Sequence, residues 1–110
     1  MVVDLSTPAT LDGRTVTALA LRLPGRDMAQ AALARIGTDG RLSDDGVALY
    51  GARLTGFTAT ALKKLPARDF TALRLALEAA IATTNRRQDL RQAIAQDQRR
   101  RAREGGGDAE

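Results

Sequence analysis

The chain has 110 residues, 44% of them hydrophobic and 3% aromatic, which fits one small domain with a thin aliphatic core. It contains no cysteine and no histidine, which excludes a disulfide framework and a thiolate zinc site and removes the usual general base and thiol nucleophile. The net charge of +4 is uneven: residues 1–84 carry ten basic and eight acidic side chains, whereas residues 85–104 carry seven arginines against three acids.

In chain order, Val2-Val3-Asp4-Leu5 is short and β-prone, and Ser6-Thr7-Pro8 bends or ends it. Asp12-Gly13 is a strong hairpin signal, flanked by Ala9-Thr10-Leu11 and by Thr15 to Arg22. In the second strand, Thr17, Leu19, Leu21 and Leu23 alternate onto one face, expected to lie on helices. Val16, Ala18, Ala20 and Arg22 take the other, a small and mildly polar face suited to being covered. A lone hairpin is marginal in water, so helices, a third strand or a second subunit must support it.

Pro24-Gly25 ends the strand, and Asp27 opens an alanine-rich helix through Met28, Ala31, Ala32, Arg35 and Ile36, closed by Gly37. Thr38 to Arg41 reads as a loop. Ser43 caps a helix through Val47, Tyr50 and Leu54, weakened inside by Gly46 and Gly51. Gly56 fits a left-handed C-terminal position, and Thr58 caps a short helix from Ala59 to Leu65.

Pro66-Ala67-Arg68-Asp69 then opens the main helix. Phe70, Leu73, Leu77 and Ile81 form its apolar stripe, with Ala76 and Ala80 alongside. Arg74 and Glu78 read as solvent-facing. Leu75 points away from the stripe, toward Ala79 and Ala82, and Leu90 and Ile94 continue that second edge. The core face is expected to end near Asn85, followed by a basic helical extension over 85–110 that finishes in a disordered Gly/acidic tail from Gly105. The fold class is therefore α+β: an N-terminal hairpin or small antiparallel sheet on a mainly helical body of residues 1–84.

No carboxylate pair at a catalytic spacing and no phosphate-binding glycine loop occurs, so binding rather than catalysis is expected, with no cofactor and no metal. No apolar run approaches the ~20 residues that span a bilayer, and the first residues lack the basic and apolar regions of a signal peptide. A cytoplasmic protein is expected.

Two signatures resemble a known family. One is Leu5-Ser6-Thr7-Pro8, Gly13-Arg14-Thr15-Val16-Thr17, Leu19 to Pro24 and Asp27. The other is Leu54-Thr55-Gly56, Leu62, Leu65 and Asp69-Phe70. Their order and spacing over roughly residues 3–82 resemble the tail assembly chaperones of tailed bacteriophages, the E/41/14 group. The resemblance implies a protein of the infected host's cytoplasm, absent from the mature virion. It would bind the tail tape measure protein, keep it soluble and help to load tail tube subunits, in many relatives through a frameshifted longer form. The turn between Arg22 and Asp27 is shorter than the family pattern, and the arginine-rich segment lies outside the resemblance.

Two surfaces are candidates for a partner: Val16, Ala18 and Ala20 on the hairpin, and Leu75, Ala79, Leu90 and Ile94 on the long helix. The second could accept a helix in groove fashion, with Arg86, Arg87 and Arg91 complementing an acidic partner. Self-association is expected from the unpaired hairpin and the thin core. Two other readings stand beside this one: a small nucleic-acid-binding protein using the basic tail and a helix-turn-helix-like region over 47–77, and a structural tail or head–tail component. Against the first, the globular part is near neutral, the exposed side of the second helix offers little beyond Arg74, and the tail has no aromatic residues for stacking.

Overall fold

Asp12 and Gly13 take φ of 50° and 79°, the left-handed pair that joins two strands whose twist a right-handed turn would splay. The strands on either side are β1 (Val2–Leu11) and β2 (Arg14–Ala20), antiparallel partners in a two-stranded sheet. Four helices follow: α1 (Arg26–Leu33), α2 (Asp44–Thr55), α3 (Ala59–Lys63) and α4 (Ala67–Asp108). The architecture is that of a computed structural model, which describes the backbone of residues 1–108 and the side chains of residues 1–101.

Ser6-Thr7-Pro8 bends β1 without ending it. Asp4 pairs with Ala18 and Ala9 with Val16, so residues 5–8 stand opposite Thr17 alone. Pro8 has no N–H for the ladder, and Ser6 turns its own donors elsewhere. Its N–H reaches Asp69 Oδ1 at 2.8 Å and its hydroxyl reaches Oδ2 at 3.1 Å. Asp69 is only 1% exposed, and at the start of α4 it also faces the positive end of the helix dipole. One carboxylate thus fastens the bulge of the hairpin to the long helix.

The bulge also changes which β2 residues face inward. Leu19, Leu21 and Val3 join the core at the base of the hairpin, while Val16 and Ala9 pack against it nearer the tip. Thr17 and Leu23, expected on the leucine face, are exposed, Leu23 by 52%. The ladder has ended by then: its last backbone bond joins the Leu21 N–H to the Met1 carbonyl, and the Arg22 N–H turns instead to the Leu54 carbonyl at 2.9 Å.

Helix α1 starts at Arg26, with Gly25 at its N-cap and Asp27 in its first turn. It stops at Leu33 instead of reaching Gly37, because Ile36 leaves the helix to bridge Leu42. Between them the Gly37 N–H bonds to the Arg41 carbonyl at 2.9 Å, and Gly40 takes φ of 77°. The next caps follow the sequence reading. Ser43 Oγ accepts from the Gly46 N–H, Gly56 at φ 84° closes α2, and Thr58 Oγ1 accepts from the Ala61 N–H.

Gly51 is where α2 meets α3 and α4. A Cβ there would lie 2.9 Å from Leu62 Cδ1 and 3.4 Å from Leu73 Cδ2, so the absence of a side chain sets the approach of the helices. Behind this contact Leu19, Leu42, Val47, Leu62, Leu73 and Leu77 are fully buried. Tyr50 and Phe57 supply the buried aromatic surface.

Arg74 and Glu78, expected to face solvent, instead clamp the segment that leads into α2. Arg74 Nε donates to the Leu42 carbonyl at 3.1 Å, and its guanidinium pairs with Asp44. Glu78 accepts the Leu42 N–H at 2.8 Å and pairs with Arg41 at 3.4 Å. These two side chains satisfy both backbone groups of a residue whose own side chain is buried, which a wet helix face could not do.

Helix α4 continues through residue 84 without a break. At ~1.5 Å per residue its 42 residues extend about 63 Å, close to the molecule's longest dimension of 69 Å. Among the described residues, the last hydrogen bonds between α4 and the body are those that Thr84 donates to the Pro24 carbonyl, that Asn85 donates to the Ala29 carbonyl, and that Asn85 accepts from the Gln30 amide. Beyond this point α4 projects as an arm. Of the tail expected to be disordered from Gly105, the backbone of residues 105–108 is the last turn of this helix, while its side chains, with residues 109 and 110, lie outside the described residues.

Candidate partner-binding surface

An α-helix turns by about 100° per residue, so the positions on α4 can be placed around its axis. Leu73, Leu77, Ala80 and Ile81 face the body and are buried. Leu75, Ala79 and Ala82 face away and are exposed, Leu75 by 50%. The second apolar edge read from the sequence is therefore on the surface.

That edge is not one unbroken ridge. Leu75 and Ala79 belong to the row that continues through Thr83 to Arg87 and Arg91. Leu90 and Ile94 belong to the neighbouring row, which begins at Ala82 and passes through Arg86. Leu75 lies about 22 Å along the axis from Leu90, at the level of the body, whereas Leu90 and Ile94 stand on the arm. Leu90 is 62% exposed and Ile94 48%.

On the arm itself the residues come together. Leu90 and Ile94 occupy adjoining turns, with Arg86 about 40° to one side of Leu90 and Arg87 and Arg91 to the other. All three arginines are exposed. The result is an apolar pair bracketed by guanidinium groups. Among the described residues the arm's ion pairs lie further out, where Asp97 meets Arg100 and Arg101 within about one helical turn, each at 3.0 Å.

The hairpin candidates are placed differently. Ala20 is exposed and Ala18 half-buried, with Val2 and Asp4 as their cross-strand partners. Val16 packs on the core with Ala9, so the bulge separates it from the other two.

Arg74, the best base-reading candidate of a helix-turn-helix, is committed to Leu42 and Asp44, and its guanidinium also lies 5.5 Å from the centre of the Phe70 ring. Sequence reasoning missed one more tertiary tie, between the hairpin turn and α3. Asp12 accepts both the N–H and the hydroxyl of Thr58, each at 2.8 Å. The backbone bond from Thr58, then its hydroxyl bond, hold the Asp12 carboxyl below the usual aspartate value, with Arg14 and Lys64 adding to the effect. Among the described residues, no helix is long and apolar enough to cross a membrane.

The chain is thus a small α+β body with a bulged hairpin and a projecting helix that carries an exposed apolar strip. Residues 2–80 match the family of phage tail assembly chaperone proteins, E, or 41 or 14. The match spans well over half of the chain, which therefore belongs to that family, and its role is that of a phage tail assembly chaperone acting on protein partners. No curated protein and no solved structure matches it significantly.

Proposed function

We propose that the chain binds the tail tape measure protein in the host cytoplasm, keeps it soluble while the tail is built, and is left out of the finished particle. The observation that carries this reading is the arm of α4, where Leu90 and Ile94 stand in solvent between arginines. A long helical protein with an apolar stripe aggregates unless the stripe is covered. A helix laid on this strip would remove both side chains from water, contributing about 1–3 kcal/mol for each one fully buried. The chain acts by binding and not by chemistry. Recruitment of tail tube subunits belongs to a longer, frameshifted form, and pairing of two hairpins is the route to a homo-oligomer.

The test is co-expression with the tape measure protein of the same phage, followed by recovery of both from the soluble fraction at about 0.5 M salt, where charge-only contacts are screened. The reading requires the long protein to be soluble and to co-purify. An insoluble tape measure protein, or this chain found in purified virions, would refute it. DNA binding that vanishes at high salt would favour the nucleic-acid reading instead.

A further inference from the structure

We infer that a small notch at the root of the α4 arm is a socket for a carboxylate carried by the partner helix. The notch, about 180 Å³ in volume, lies between the segment that leaves β2 and the side of α4. Its walls carry the guanidinium-bearing Arg26, Arg87 and Arg91, the apolar Leu23 and Pro24, and Gln88. The bond from the Thr84 hydroxyl to the Pro24 carbonyl, 3.1 Å, pins the two walls together.

No acidic side chain lines this notch, and none of its three arginines takes part in an ion pair among the described residues. Asp89, the nearest acid on the same helix, points about 160° away from both Arg87 and Arg91. Three like charges around one concavity repel one another and favour an anion between them. Guanidinium groups present planar pairs of donors that match a carboxylate.

The occupant follows from the surroundings. Arg87 and Arg91 form one border of the Leu90–Ile94 strip, so a helix seated there places the residues flanking its own apolar stripe over the notch. An acidic flanking residue fits. A second copy of this arm does not, because residues 85–104 bring seven arginines against three acids. The inference rests on the tape-measure reading for its natural partner: it assigns that partner an Asp or Glu beside the apolar residues that cover Leu90 and Ile94.

The probe is a synthetic amphipathic helix with Glu flanking its apolar stripe, compared with the same helix carrying Gln. Calorimetry with the full chain should show the Glu helix binding about tenfold more tightly, with NMR shifts at the guanidinium N–H groups of Arg26, Arg87 and Arg91. In the Arg87→Gln/Arg91→Gln variant the preference should fall below about twofold. The Arg35→Gln/Arg99→Gln variant, which loses the same charge elsewhere, should retain it, because a socket acts locally and a diffuse field does not. Equal affinity for the two helices, or equal loss in the two variants, would overturn the socket. Solubilisation of the tape measure protein undiminished in Arg87→Gln/Arg91→Gln would keep the tape-measure reading and overturn the socket. Binding of the Glu helix at the notch beside an insoluble tape measure protein would do the reverse.

Discussion

Leu77 and Leu90 lie on the same helix and meet opposite fates. Leu77 is wholly buried against the body, whereas Leu90 is 62% exposed on the arm. Backbone, residue type and helix propensity are the same at both places, so what differs is whether anything faces the side chain. The body segment of α4 is held by α1, α2 and β1; the described part of the arm, residues 86–101, makes its ion pairs only with itself. Packing energy should therefore be concentrated before Asn85, and the apolar residues after it should be dispensable for stability and available for binding.

A pair of truncations separates the two segments most strongly. Leu77→Ala should cost about 3 kcal/mol, from lost burial and the cavity left behind, and lower the melting temperature by more than about 10 °C. Leu90→Ala should change stability by less than about 0.5 kcal/mol. Thermal and urea unfolding of the two variants would check both. A Leu90→Ala loss comparable to that of Leu77→Ala would mean that the arm is packed in solution.

Next in size is the tie between bulge and helix. Asp69→Ala leaves the Ser6 N–H and hydroxyl without their charged acceptor and should cost about 2 kcal/mol. Ser6→Ala removes only the hydroxyl bond and should cost about 1 kcal/mol. Urea midpoints measured side by side would rank the two; equal losses would show that the backbone bond contributes nothing.

The smallest effect concerns the hairpin turn. The Asp12 carboxyl titrates below its ordinary value of 3.8 in the folded state, so the unfolded chain binds the proton more readily. The stability it adds is present above that ordinary value and is lost as pH falls below it toward the folded pKa. Between neutral pH and pH ~3, wild type should lose slightly more stability than Asp12→Asn, because other carboxylates titrate alike in both proteins. Identical pH profiles would contradict the contact with Thr58.

Much of the fold is legible in the sequence because its signals are local. Asp12-Gly13, Ser43, Gly56 and Thr58 each specify a turn or a cap through their own backbone, and the Leu73–Leu77–Ile81 stripe follows from helix period. The clamp of Arg74 and Glu78 on Leu42 and the bond from Ser6 to Asp69 join residues more than 30 positions apart, and no local pattern announces such a partner. The same holds for Asp12, which reads as a turn residue and also braces α3. On the candidate surface, the exposure of Leu75, Leu90 and Ile94 follows from helix phase. The notch does not, because Arg26 enters it from a different element.

The most direct test of the account combines binding with stability in one variant, Leu90→Asp/Ile94→Asp. The account predicts a melting temperature within about 2 °C of wild type, since neither residue belongs to the core, together with loss of the tape measure protein from the soluble fraction on co-expression. A variant that keeps its stability and still solubilises the tape measure protein as well as wild type would contradict the claim that the arm of α4 is the surface that binds.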